Sequence, residues 1–194
     1  MTSRDHFAGD RRTNRERMLA GDLYLADDPE NAALEERARR LSDAYHRAVV
    51  DGTGDARALL AQIIGDLGTD VVIRPPFFLE YGDRMSVGDR TFVNFNLVAL
   101  DVAPITIGAD CQLGPNVQLL TPTHPIDPQM RRDKLEAAEP ITLGDNVWLG
   151  GGVTVCPGVT IGDDTVVGAG AVVTRDLPAG VVAVGNPARV IRTI

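Results

Sequence analysis

The hydrophobic positions change their period once along the chain. From about Thr13 to about Asp66 they fall at helical spacing. Met18, Leu19, Leu23 and Tyr24 form one set, and Leu34, Ala38, Leu41 and Tyr45 another, with Glu and Arg between them. Asp27-Asp28-Pro29-Glu30 reads as a turn and helix start, because Asp caps and Pro is tolerated in a first turn. Asp51-Gly52-Thr53-Gly54 reads as a loop, followed by a third short helix from about Asp55 to Ile64. A helical module of about fifty residues has little core of its own, so it is expected to pack on the remainder of the chain.

From Val71 onward an aliphatic residue recurs every sixth position, often followed by glycine. The pairs are Val87-Gly88, Ile107-Gly108, Leu113-Gly114, Leu143-Gly144, Leu149-Gly150, Ile161-Gly162 and Val167-Gly168. The fourth residue after each aliphatic is small or aliphatic: Thr91, Cys111, Val117, Val147, Val153, Thr165 and Ala171. Val155 and Val173 keep the period without the glycine. This six-residue period predicts a mainly β protein built as a parallel β-helix, three hexapeptides to a triangular coil. The aliphatics point inward and stack, each contributing roughly 1.5–3 kcal/mol. Glycine is expected at the corners for its tolerance of positive φ. A β-sandwich would instead alternate with period two and vary in spacing. The predicted division is a tail and cap over 1–66 and a β-helix over 67–194.

The regularity stops over TPTHPIDPQMRRDKLEAAEP, residues 121–140. Leu143 lies twenty-four positions beyond Leu119, a whole number of hexapeptides, so the coil could have continued. Pro122, Pro125, Pro128 and Pro140 prevent regular strand pairing here. A long non-repetitive loop in a compact solenoid points to function. His124 stands near its start; His6 is assigned to a mobile tail and His46 to a helix surface, neither with a function.

Composition narrows the classes. Of 194 residues, 44% are hydrophobic and 24% charged, as in ordinary globular proteins. A net charge of −8 argues against nucleic acid, and an anionic ligand would need a local cluster of Arg or Lys. No apolar run approaches the ~20 residues of a membrane helix. The start, MTSRDHFAGDRRTNRER, is polar and unlike a secretory signal. Cys111 and Cys156 fall inside the repeats and are read as free thiols of a cytoplasmic protein.

The run from Ile141 to Arg192, ITLGDNVWLGGGVTVCPGVTIGDDTVVGAGAVVTRDLPAGVVAVGNPARVIR, resembles the hexapeptide-repeat acyltransferases, whose β-helix is left-handed. RPPFFLEYGDRMSVGDRTFVNFNLVALD, VQLLTPTHPIDPQMR and ERMLAGDLYLADDPE are similar to the maltose and galactoside O-acetyltransferases and their helical cap. The resemblance implies acetyl transfer from acetyl-CoA to a sugar hydroxyl, a maltose- or glucose-type acceptor, no metal, and a homotrimer with active sites between subunits. In it the loop projects over a neighbouring subunit, and His124 matches the catalytic base. A neutral imidazole, with an unperturbed pKa of about 6.5, suits removal of a hydroxyl proton near neutrality. Gly151 matches the residue whose backbone N–H meets the oxyanion. Glu80, Asn94 and Asp101 match acceptor-lining positions, with Tyr81 as a wall, Asp27 reaching from the cap and Glu136 orienting the imidazole or the acceptor. Galactoside enzymes carry an acidic residue where Val102 stands here, which speaks against a galactoside acceptor. For the donor, Trp148 packs on the pantetheine arm, Gly150, Gly151 and Ala169 let it approach the backbone, and Thr174 bonds a phosphate or carbonyl. Arg175, Arg189 and Arg192 supply the positive charge.

Other occupants of such a coil fit less well. A γ-class carbonic anhydrase needs three zinc-binding histidines, and the coil with its loop has one. A non-catalytic β-helix would not need histidine loop, exposed tryptophan and arginines together. Serine acetyltransferases share only the coil. An oligosaccharide or antibiotic acceptor stays open, since fold alone does not choose.

Overall fold

The computed structural model describes residues 6–194. Three helices form the cap: α1, Asn14–Leu19; α2, Pro29–Asp51; and α3, Ala56–Ile63. Thr13 and Glu16 close α1 with a reciprocal capping box. Asp28 caps α2 by accepting from the Glu30 N–H, with Pro29 in the first turn, and Gly52 ends it at φ 62°. The cap packs on the coil as expected: the Tyr45 hydroxyl donates to the Ile73 carbonyl at 2.7 Å, its ring meets Phe77 at 5.5 Å, and Leu60 and Ile63 enter the main core.

The coil starts at Asp66. Its first face stacks Asp66–Leu67, Met85–Val87, Ile105–Ile107, Ile141–Leu143 and Thr160–Ile161. The second stacks Val72–Ile73, Phe92–Val93, Gln112–Leu113, Trp148–Leu149, Val166–Val167 and Val181–Val184, closed by the antiparallel strand Arg189–Thr193. The third stacks Phe77–Leu79, Leu97–Leu100, Gln118–Leu120, Thr154–Val155 and Val172–Val173. Neighbouring coils pair in parallel, and the inward aliphatics, such as Val87, Ile107, Leu143 and Ile161, form buried columns.

Two expectations need correction. The repeat is not uniformly hexameric. Upper coils recur after eighteen residues, Leu149 opposite Val167, but lower ones after twenty, Val93 opposite Leu113. The two extra residues sit at the corner between third and first faces, where 81–84 and 101–104 make a wider turn. The motif glycines also serve a different purpose. None of the seven has positive φ; that geometry falls two residues later, at Arg90, Asp110, Asn116, Asn146, Gly152, Asp164 and Gly170. Each motif glycine instead lies against the next coil. A Cβ on Gly114 would stand 2.6 Å from the Gly151 nitrogen, and one on Gly150 2.5 Å from the Ala169 nitrogen. Hydrogen-bonded coils approach too closely there for any side chain.

Residues 121–140 leave the coil at that same wide corner, and they are structured. Pro122–Thr123 and Leu135–Ala138 pair antiparallel, with a short helix α4, Pro128–Arg132, between them. The strand Tyr24–Leu25 adds to the other edge of Leu135–Ala138, so Tyr24 lies in a strand and not in the helix its spacing suggested.

This packing predicts opposite outcomes at two positions of one corner. Gly114→Ala should lower the unfolding free energy by about 2–4 kcal/mol, because its Cβ meets backbone that cannot give way. Asn116→Gly, at φ 61°, should change it by under about 1 kcal/mol. Denaturant unfolding of the two variants checks this.

Candidate active site

The loop folds back on the cap and closes a cleft of about 270 Å³ over the wide corner. Its walls include Tyr24, Glu35, Glu80, Tyr81, His124 and Glu136. Tyr24 lies opposite Glu136 in the strand pair, and its hydroxyl donates to that carboxylate at 3.0 Å. Burial and the Glu136 charge push the Tyr24 phenol far above the usual tyrosine range. Burial also raises Tyr81, with Glu80 adding to it. Glu80 is half-buried, and its carboxyl is raised by burial first and then by the charges of Glu35, Asp101 and Glu136.

His124 is exposed to this cleft on a loop held at several points. At its base Thr121 is fully buried, its hydroxyl donating to the Leu100 carbonyl at 2.6 Å and accepting from the Ala103 N–H at 2.9 Å. Asp127 caps α4 by accepting from Gln129 and Met130 N–H, and Arg131 donates to the Pro125 and Ile126 carbonyls. His6 pairs with Asp133 at 2.8 Å, so it ties the chain's start to this loop and is no free tail residue. His46 is half-buried on α2 beside Phe77 and Phe78, in a separate groove.

The proposed acceptor residues divide. Glu80, Tyr81 and Glu136 join His124 in the cleft. Asp101 does not. It is fully buried, and its oxygens accept from the Tyr81 N–H at 2.8 Å and the Arg84 N–H at 3.3 Å. It braces the wide corner beneath Thr121, so its part is to hold the wall behind the cleft. Asn94 sits at the corner between second and third faces, its side-chain oxygen accepting from the Phe95 N–H at 2.9 Å, outside the His124 cleft of its own chain. Asp27 is exposed beside Ala26, which lines the cleft, and meets the Asn14 amide at 3.4 Å. Val102 is buried with Met18, Tyr24 and Tyr81, making an apolar wall. Sequence reasoning missed Tyr24 and Glu35. Glu35 was findable: it follows the buried Asn31 by four residues on α2, on the face that meets the coil.

The proposed donor residues lie on the second face and at the two corners that flank the third. Trp148 projects from the second face, 56% exposed. Gly150, Gly151 and Ala169 follow at the corner leading to the third face. Gly150 is buried and required by coil stacking, while Gly151 is partly open. Among the described residues nothing accepts a hydrogen bond from the Gly151 N–H. Thr174 and Arg175 lie on the other edge, two coils beyond the point where the loop departs. Arg189 and Arg192 sit on the closing strand. All three arginines are exposed and none is in an ion pair among the described residues. Among the described residues no group of three His, Cys, Asp or Glu side chains could hold a metal.

Two family profiles match, the bacterial transferase hexapeptide (six repeats) over residues 140–175 and the maltose acetyltransferase hexapeptide capping motif over 17–68. The chain is 46% identical over 179 residues to Nodulation protein L of Rhizobium meliloti, covering 92% of this chain and 98% of that one. It superposes on a maltose O-acetyltransferase from Clostridium difficile with a TM-score of 0.91 and 41% identity, over 94% and 98% of the two chains. It belongs to the maltose and galactoside acetyltransferases of the hexapeptide-repeat family. Another member, a galactoside acetyltransferase in complex with coenzyme A, matches with a TM-score of 0.87 and 34% identity over 94% of this chain and 92% of that one. The coil is thus the left-handed β-helix of these acetyltransferases.

The buried Asp101 gives the site a pH signature. Burial raises its carboxyl above the usual aspartate range, against the backbone N–H groups that lower it. The folded state then keeps the proton to higher pH than the unfolded chain, so this group makes stability fall as pH rises through that window. The advantage of wild type over Asp101→Asn should therefore be larger at pH 4 than at pH 7. Chemical denaturation at the two pH values checks the difference, and an equal gap would contradict it.

Proposed function

We propose that the protein transfers an acetyl group from acetyl-CoA to a hydroxyl of a glucose-type sugar, in sites formed between copies of a homotrimer. The carrying observation is His124, held on an anchored loop over a polar cleft that the cap closes. The imidazole takes the proton as the sugar oxygen attacks the thioester carbonyl. The Gly151 N–H, free among the described residues, donates to the oxyanion. On collapse the imidazolium returns its proton to the CoA sulfur. Exposed Arg175, Arg189 and Arg192 suit the donor's phosphates, which an acidic protein must meet with local positive charge.

The trimer is supported by the outward side chains. The first face carries Ser86, Thr106, Thr142 and Thr160 in register. The second carries Val72, Phe92, Gln112, Trp148, Val166 and Val182, and the third Phe78, Val98, Gln118, Thr154 and Val172. Val72 and Phe78 are about half exposed in the single chain, at 49% and 58%. Exposed Val72, Phe78 and Trp148 on these two mixed faces call for cover by other copies. The free Cys111 and Cys156 suit a cytoplasmic location.

His124→Ala should lower kcat by about 10²–10⁴ while thermal unfolding stays close to wild type, since the exposed ring supports no core contact. Rates of CoA release beside a melting curve check both. Near wild-type turnover in the variant would remove His124 as the base.

A further inference from the structure

The loop that carries His124 is anchored unevenly. Its base is fixed by Thr121 and its returning strand by Tyr24–Leu25. The stretch between, 125–134, bonds to itself. Asp127 accepts from the Gln129 and Met130 N–H groups, Arg131 donates to the Pro125 and Ile126 carbonyls, and the Gln129 amide donates to one oxygen of Asp133 at 2.9 Å. Ile126 is 94% exposed, and no residue of α4 is buried. A helix of five residues is not stable on its own. Asp133 ends α4, and its other oxygen accepts from His6 Nε2 at 2.8 Å. A carboxylate only accepts, so that ring nitrogen carries the proton. Among the described residues this is the one hydrogen bond that ties 125–134 to chain outside the loop.

His6 is itself held. Phe7 beside it lies under the Arg17 guanidinium, 4.0 Å from the ring centre. The Asp10 N–H donates to the Phe7 carbonyl at 2.8 Å, closing a turn in which Gly9 has φ 87°. The Asp10 carboxylate accepts from Arg17 Nε at 3.1 Å and from Arg12 Nη2 at 2.8 Å. Arg17, on α1, is 5% exposed. A guanidinium removed from water is costly unless paired, and residues 7–10 supply its aromatic ring and its carboxylate. The next residue of α1, Met18, packs with Tyr24, Tyr81 and Val102 on the wall of the cleft. Contacts therefore run from that wall through α1 and this turn to the end of α4.

We propose that residues 6–13 are a strap that holds the far end of the loop against the cap, and that His6 is a positioning residue for His124. This rests on the function proposed above, in which His124 is the base. With the strap in place the loop is fixed at both ends and at α4, which begins four residues beyond His124. Without it, 125–134 turns about its two ends and the imidazole spreads over more positions. Misplacing a reacting group lowers the rate steeply. The donor edge lies elsewhere on the coil, so acetyl-CoA binding does not depend on the strap.

The test is His6→Ala in the full chain, with His6→Gln as the conservative replacement, whose amide N–H can still donate to Asp133. CoA release is followed with acetyl-CoA and maltose. Trypsin cleavage of the native protein after Arg131 and Arg132, both exposed, reports the loop. His6→Ala should lower kcat by about three- to tenfold at an unchanged KM for acetyl-CoA, and speed cleavage at the two arginines by a similar factor, with melting close to wild type. His6→Gln should recover most of both. Asp133→Ala should act like His6→Ala, and the double variant should lose nothing further. An unchanged kcat in His6→Ala, a loss that His6→Gln does not recover, or a loss that appears in the donor KM would each overturn the proposal. Faster loop cleavage in His6→Ala, recovered by His6→Gln, in a protein that releases no CoA with maltose or glucose would uphold the strap and overturn the sugar acceptor instead.

Discussion

The close stacking of one coil on the next is the constraint on which the rest of the molecule depends. Parallel strands hold successive coils at a spacing of about 4.8 Å. At the corner where Gly114 faces Gly151, that spacing leaves no room for a Cβ. Because the coils cannot slide or tilt, residues tens of positions apart are fixed in columns. Trp148 sits over Gln112 and under Val166, and the open Gly151 N–H is set by the coil beneath it. The edge proposed for the donor draws on several coils and is therefore fixed by their stacking before any ligand arrives, as the proposed stabilisation of an oxyanion requires.

Catalytic variety enters where the stacking is relaxed. The corner between third and first faces carries two extra residues in the lower coils, and the space they open is braced from within by Asp101 and Thr121. The loop leaves from this corner in place of a further coil, so that Leu143 pairs directly with Ile107, thirty-six residues earlier. The cap then fastens the loop through Tyr24 and Glu136, and the start of the chain through His6 and Asp133. The small helical module thus has two tasks: it covers the open end of the coil, through Tyr45, Leu60 and Ile63, and it closes the cleft beside His124.

The coil was legible because an inward aliphatic every turn is a one-dimensional rule, and the loop because its prolines break that rule. What stayed hidden depends on contacts between elements. The motif glycines could be located but not explained, since their role is a distance to the neighbouring coil and not a backbone angle. The family resemblance gave Asp101 as an acceptor-lining residue, and a matched acid reads the same whether it faces a cleft or the backbone of its own corner. Tyr24 fits a helical period by chance and is claimed by a strand from the loop, more than a hundred residues away. Pairing of His6 with Asp133 has no local signal at all.

His124 and Gly151 stand at opposite edges of the third face, and the cleft of His124 includes none of the residues of the second-to-third corner. In the proposed homotrimer, the proposed base and oxyanion donor of one site then come from different copies. This can be measured by mixing subunits of two inactive variants. His124→Ala removes the base, and Gly151→Pro removes the N–H at a corner where Pro115 already fits one coil below. Random trimers of the two should regain about a quarter of wild-type activity, because half the neighbouring chains carry an intact base and half an intact donor edge. Activity no greater than the two variants show alone would contradict a site shared between subunits.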